Sequence, residues 1–238
     1  MEKASQPDAF FFSGVRLLAK LHIDPQRLPV DSIAGEAALP SERLNAAWLR
    51  ERLTNPPVWE PELPGDLRER FPSLRRAAVL VPIVERPLGL TMLLTQRTVH
   101  LSSHPGQVSF PGGGAEEGDA SPVETALRET EEEIGLDRRH VEIIGELPEH
   151  VTASGFLVQP VVGLVKPPFE LVAESNEVAE IFEVPLSFLM DGMNHQRMSF
   201  ELPHGAGRRS FYAMPYERHF IWGATAAMLR NLFHFLRA

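Results

Sequence analysis

Cysteine is absent from the 238-residue chain. Its absence excludes disulfide bridges, thiolate metal sites and a cysteine nucleophile, and it suits a reducing cytoplasm, where the protein is expected to work. No apolar run approaches the ~20 residues of a membrane span, so no membrane association is expected. The first residues also lack the basic, apolar, small-residue order of a secretory signal. Positive charge is in deficit. Against 32 acidic residues stand 23 lysines and arginines, a net charge of −9, which argues against a non-specific nucleic-acid surface. Repeats and low-complexity tracts are missing as well. What is present is ordinary for a globular protein, and the length allows one substantial core with an extension. A small anionic substrate remains admissible where a metal and nearby arginines neutralise it.

The chain is organised around Phe110 to Leu136, which opens on three glycines and is dense in acids. Ser121 reads as a helix N-cap, Pro122 as the first helical residue and Glu124 as the second half of an S-x-x-E capping box. Gly135 is placed to stop the helix in a left-handed conformation. At about 100° per residue, Val123, Ala126, Leu127, Thr130 and Ile134 form a buried stripe. Glu129, Glu132 and Glu133 then share a second face, spanning roughly 100° of arc. An E-x-x-E-E face standing alone is usually a solvated acidic surface. Here it follows a glycine-rich turn and adjoins Arg128, which can pair with Glu132 at i+4. The combination reads as a site for Mg²⁺ or Mn²⁺, whose hard oxygen ligands it concentrates and whose charge relieves the repulsion among them.

Upstream, residues 1–74 read as an accessory helical and proline-rich extension. Phe10 to His22 and Ser41 to Leu53 have helical spacing, the second with Ser41 as its cap. The Phe10-Phe11-Phe12 cluster reads as a packing patch against the main domain or a second subunit, with a membrane or partner contact as the alternative, and the second subunit makes a homodimer one expectation. Residues 75–238 carry a different texture. Strands are expected at Ala77 to Val84 and Leu90 to Gln96, joined by a turn at Pro87-Leu88-Gly89. Further strands are expected at Val141 to Gly145, Phe156 to Lys166 and Ile181 to Val184, with a turn of helix at Leu186 to Leu189. Phe211 and Tyr216 to Ile221 read as late strands, and Ala224 to Leu236 as an amphipathic closing helix. Helices alternating with short strands imply an α/β (α+β) fold, a mixed sheet between helices.

Between the second strand and the glycines, Leu93 to Gly113 places Arg97 at a strand end, with His100 and His104 after it. A guanidinium there is a candidate phosphate clamp. The histidines are open between substrate contact, general base and plain surface or capping roles.

Gly114 to Leu136 resembles the Nudix box, G-x5-E-x7-R-E-U-x-E-E-x-G-U, in which U is a bulky apolar residue. Arg128-Glu129, Glu132-Glu133, Gly135 and Leu136 match it. Thr130 stands where a bulky apolar residue is usual, and Ala120 where the first Glu belongs, one residue after Asp119. Leu93 to Gly113 in turn resembles the extra signature of the coenzyme A-directed branch of that family, L-L-T-x-R-[SA]-x3-R-x3-G-x3-F-P-G-G. Leu93, Leu94, Thr95, Arg97, Gly106, Phe110, Pro111, Gly112 and Gly113 match, while Thr98 and Ser102 depart. The branch often has Asp one residue before a vacant first Glu, as in Asp119-Ala120.

The resemblance implies metal-dependent hydrolysis of a nucleoside diphosphate derivative. It implies Glu132 and Glu133 as metal ligands, Glu129 as ligand or general base, and Arg128 as the residue that orients them. It further implies the Gly113 carbonyl and a distal acid, here Glu177, as additional ligands. Arg97, His104, Phe110, Gly112 and Gly113 are the implied substrate contacts. Other nucleoside diphosphate derivatives, such as ADP-ribose, a dinucleotide or a nucleoside triphosphate, remain alternatives to coenzyme A. A catalytically silent nucleotide-sensing or partner-binding module is the alternative outside the enzymes.

Overall fold

The computed structural model describes residues 24–62, 71–101, 105–202 and 207–238. The expected Phe10 to His22 helix, the phenylalanine cluster, Ser102 and His104 lie outside the described residues.

The described chain begins with β1 (Val30–Ile33) and helix α1 (Ala46–Thr54). Then come β2 (Arg75–Arg86), β3 (Gly89–Arg97), β4 (Val108–Ser109) and β5 (Gly112–Gly114), followed by helix α2 (Pro122–Ile134). After the helix come β6 (Val141–Glu146), β7 (His150–Val151), β8 (Phe156–Val165) and β9 (Val178–Pro185). A single helical turn, α3 (Leu186–Leu189), leads to β10 (Gln196–Glu201), β11 (Arg208–Tyr216) and β12 (His219–Trp222), and α4 (Gly223–Arg237) closes the chain.

Two sheets result. The larger is mixed, with its main path in the order β4-β3-β2-β8-β6; β5 adds to β2, β7 to β8 and β9 to β3. β2 lies parallel to β8 over ten residue pairs, which buries both strands and explains their apolar runs. Alternation along β2 feeds two cores. Ala78, Leu80 and Val84 face α2, where they meet Ala126, Ile134 and Leu136. Val81 and Ile83 face the opposite way, into a larger core with Leu49 of α1 and Leu229, Leu232 and Phe233 of α4. The mixed sheet therefore lies between helices, as expected.

β2 shares one of its edges between two partners. Its last residues, Ile83 to Arg86, form a hairpin with β3, and its early residues, Ala77 to Val79, pair with β5. β3 thus diverges from β2 where β5 enters, and the end of β3 at Arg97 stands apart from the glycines. The site opens at this divergence.

Three expectations are corrected by the fold. The Ser41 to Leu53 helix is split. Ser41–Arg43 forms a 3₁₀ turn, and α1 starts afresh at Ala46 with Asn45 as its cap, its side chain accepting from Trp48 N–H at 2.9 Å. Asn at this position competes successfully because it satisfies one of the free amides of the first helical turn. The strand read over Tyr216 to Ile221 is a hairpin instead. Residues 217 and 218 form the turn between β11 and β12, and Tyr216 pairs with His219. The capping box closes on one side only, because Glu124 reaches Arg138 at 2.9 Å.

A second, four-stranded antiparallel sheet, ordered β1-β10-β11-β12, has no counterpart in the sequence-based expectation. Its first strand comes from the stretch read as accessory. Residues 24–62 are in fact interleaved with the end of the chain. Ala34 N–H donates to His195 O and Leu39 N–H to Met190 O, each at 2.9 Å, and Leu39 and Leu49 belong to the larger core. No helix among the described residues is long and apolar enough to cross a membrane.

Candidate metal-dependent hydrolase site

The local sequence sets α2 firmly. Ser121 Oγ accepts from Glu124 N–H at 3.2 Å, Pro122 fits the first turn, and Gly135 caps the other end at φ 67°, where a β-carbon would be strained. Thr130, in place of a bulky apolar residue, is fully buried. Its hydroxyl donates to Ala126 O at 2.6 Å, which removes the cost of burying it.

α2 packs against β5, and this contact explains the glycines. At Gly112 φ is 146° and a β-carbon would overlap Ala78 O and Val79 Cα; at Gly113 it would overlap the carboxylate of Glu129. Close approach brings the helix acids onto the strand. Glu133 Oε2 accepts from Gly112 N–H at 3.1 Å, and Glu129 lies over Gly113.

Arg128 organises the loop and the acids together. Nε donates to Asp119 Oδ1 and Nη2 to Asp119 Oδ2, both at 3.0 Å, in a bidentate fork. Nη2 also donates to Gly114 O at 3.0 Å, while Nη1 donates to Glu129 Oε1 at 3.0 Å and Glu132 Oε2 at 3.1 Å. All five donors of the guanidinium are engaged. The expected Arg128–Glu132 pair is present, but it is one of several.

Asp119 is the residue that sequence reasoning did not assign. It takes the Arg128 fork, the Glu116 N–H and the Thr125 hydroxyl, the last two at 2.9 Å. The Arg128 guanidinium chiefly holds its carboxyl well below the usual range. The signal was an Asp one position before the vacant glutamate. An aspartate there reaches the arginine directly.

Across the opening stands Arg97, with Nη1 3.6 Å from Glu133 Oε1 and Nη2 3.9 Å from Glu177 Oε2. Glu177 is brought there by β9, whose Val178 pairs with Arg97, and by Thr98, whose N–H donates to Glu177 O at 2.9 Å. The distal acid and the candidate clamp therefore sit at one site with the helix acids.

The electrostatics separate the acids. Glu133 is 5% exposed, and burial pushes its carboxyl up to about 7; Gly112 N–H and Arg97 oppose that shift, while Glu177 and Glu129 add to it. Burial also raises Glu129, against Arg128. The Glu132 side chain is 60% exposed and stands at the rim.

Two expected substrate contacts are corrected. Phe110 is 2% exposed in the larger core, so it anchors the glycine loop and offers no face to a ligand. The Gly112 amide is engaged by Glu133 and its Cα lies against β2, so its part is to shape the site. His100 is exposed, and among the described residues no hydrogen bond or ion pair joins it to the acids.

Among the described residues, no three acids or histidines already converge as a metal cage. Arg128 donates to Glu129 and Glu132, and Arg97 lies within ion-pair distance of Glu133 and Glu177. The donor set nonetheless fits a hard divalent cation. Glu129 and Glu133 are carboxylates drawn into a partly buried notch, with charge that Arg128 and Arg97 do not fully offset.

Residues 74–199 match the NUDIX domain model. The chain belongs to the Nudix hydrolase family. A relative described as the uncharacterized Nudix hydrolase NudL, from Escherichia coli K12, is 43% identical over 159 residues, covering 66% of this chain and 81% of NudL. A NudL from Shigella boydii serotype 18 matches with the same identity and coverage. Among solved structures, an Ap4A hydrolase binary complex from C. elegans is 20% identical over 46% of this chain and 80% of its own, with a TM-score of 0.42. As a Nudix hydrolase the chain is a pyrophosphohydrolase. Nudix hydrolases act on small nucleoside diphosphate derivatives and generally use divalent metal ions.

Proposed function

We propose that this Nudix hydrolase cleaves the diphosphate of coenzyme A or its derivatives in the cytoplasm, with Mg²⁺ or Mn²⁺, releasing 4′-phosphopantetheine or its acyl form and 3′,5′-ADP. One observation carries the reading. Arg97, from the stretch resembling the coenzyme A signature, faces Glu133, from the stretch resembling the Nudix box, at 3.6 Å. The two resemblances thus meet in one notch.

Glu129, Glu132 and Glu133 would hold the metal, with the Gly113 carbonyl and Glu177 as further donors. Bound there, a divalent cation supplies neutralisation of the diphosphate and a more acidic water. The chain's own residues do the rest. Glu129, whose carboxyl is raised by burial, is suited to take a proton from the attacking water. Arg128 keeps Glu129 and Glu132 on the same side of α2. Arg97 binds a phosphate oxygen and orients the bond to be broken.

Hydrolysis of coenzyme A and ADP-ribose should be compared at matched concentrations with each metal, with products identified by mass. Preference for coenzyme A, with both expected products, supports the reading. Preference for ADP-ribose, a dinucleotide or a nucleoside triphosphate would move the enzyme to another branch. No turnover of any diphosphate would favour a silent module.

A further inference from the structure

Arg97 lies between two of the acids of the candidate site. Its guanidinium spans Glu133 of α2 and Glu177 of the loop before β9. At 3.6 and 3.9 Å these contacts are longer than the 3.0–3.1 Å bonds of Arg128, so charge attraction holds them, without shared protons. The anchors on either side are firm. Arg97 N–H donates to Gln107 O at 2.9 Å, Thr98 Oγ1 donates to Asn176 O at 2.9 Å, and Glu133 is fixed by Gly112 N–H. The side chain of Arg97 is 23% exposed, against 7% for Glu133 and 50% for Glu177.

We propose that Arg97 is a displaceable counter-ion. In the metal-free protein it occupies the notch between Glu133 and Glu177, and on metal binding it turns outward to take phosphate oxygens of the substrate. The inference rests on the metal-dependent reading above and adds a coupling to it. A guanidinium and a divalent cation repel one another within one small notch. Metal affinity without substrate is then lower than the acids alone would give. A diphosphate that draws Arg97 away strengthens metal binding, and by reciprocity the metal strengthens diphosphate binding. Arg97 is in this sense both a placeholder and a clamp, and the two roles alternate.

The test is Mn²⁺ binding to the full chain without substrate, read from the free-ion signal in electron paramagnetic resonance. Wild type is compared with Arg97→Gln and Arg97→Lys. The Gln variant should bind Mn²⁺ about tenfold more tightly, the factor expected when one opposing charge leaves a partly buried site. The Lys variant, which keeps the charge, should bind like wild type. Equal or weaker binding by the Gln variant overturns the displacement, as does a Lys variant that behaves like Gln. Thermal melts give a second readout. In EDTA the Gln variant should melt below wild type, because Glu133 and Glu177 lose their counter-ion, and saturating Mn²⁺ should close the gap. A gap that persists with Mn²⁺ marks a purely structural staple and overturns the proposal. Absence of Mn²⁺ binding by all three proteins is a different failure, since it removes the metal site itself.

Discussion

Two clusters of the molecule gather carboxylates around arginine, with opposite results. Arg230, on α4, is 2% exposed. Its guanidinium donates to Glu62 Oε2 at 2.6 Å, to both oxygens of Glu36, and to His195 Nδ1. Because Nδ1 accepts, His195 carries its proton on Nε2 and donates it to Leu189 O at 2.8 Å. The rings of Tyr212 and Phe233 flank the guanidinium at 4.9 and 5.3 Å. Here one cation faces two acids and every group has a partner. At the candidate site, Arg128 and Arg97 face Asp119, Glu129, Glu132, Glu133 and Glu177. The carboxyls register the difference. Burial alone would raise Glu62, yet His234, Tyr212 and Arg230 bring it down to about 2. Glu133, whose burial outweighs the opposing Gly112 N–H and Arg97, rises to about 7. One cluster is balanced in charge, and the other carries an excess of acid.

Removing each centre should break the comparison in a different observable. Arg230→Ala leaves Glu36 and Glu62 uncompensated at the seam between residues 24–62 and α4, and should cost about 3–5 kcal/mol in denaturant unfolding. Turnover by the fraction that remains folded should be near normal. A loss under 1 kcal/mol, roughly that of a surface ion pair, would show that the clasp is ornamental.

Glu132→Gln is the mirror image. It should lower turnover about a thousandfold while the thermal melt stays nearly unchanged, because the side chain stands at the rim and makes one bond, to Arg128. Retained turnover removes Glu132 from the metal set.

Asp119→Asn sharpens the picture further. The amide keeps the shape but cannot take both arms of the Arg128 fork. Turnover should fall about tenfold to a hundredfold, the usual range for a residue that orients the groups around a metal. Mn²⁺ binding should weaken with it. Unchanged Mn²⁺ affinity would mean that Arg128 positions the acids without help from the loop.

The same contrast explains what the sequence made legible. α2 was readable to within a residue because capping residue, proline and stop glycine agree with its apolar stripe, and the acids on its other face follow from 3.6-residue geometry alone. The Arg97–Glu177 proximity was half legible, since a strand end and a loop acid carry no mutual spacing. The Arg230 clasp was invisible, because its members lie some 194 positions apart at the extreme, in Arg230 and Glu36. β1 was unreadable for a related reason. Its four residues are all exposed, so no alternation marks them, and only pairing with β10 makes them a strand. Phe110 misled because a motif match says that a residue is required, without saying whether ligand or core requires it.

The smallest expected effect is a dependence on pH, and it belongs to the clasp. Glu62 has a folded carboxyl near 2 against an ordinary value of 4.5. Its stabilising contribution is therefore whole above about pH 4.5 and fades as pH falls toward 2. With a third of the side chain exposed, solvent screening reduces it to about 1–2 kcal/mol. Denaturant midpoints of wild type should drop through that window. Glu62→Gln should start lower at neutral pH and lose less on acidification, since its amide cannot titrate. Parallel acid limbs for the two proteins would show that carboxylates elsewhere control acid unfolding, and that the Arg230 cluster is held by its shape and its rings more than by its charge.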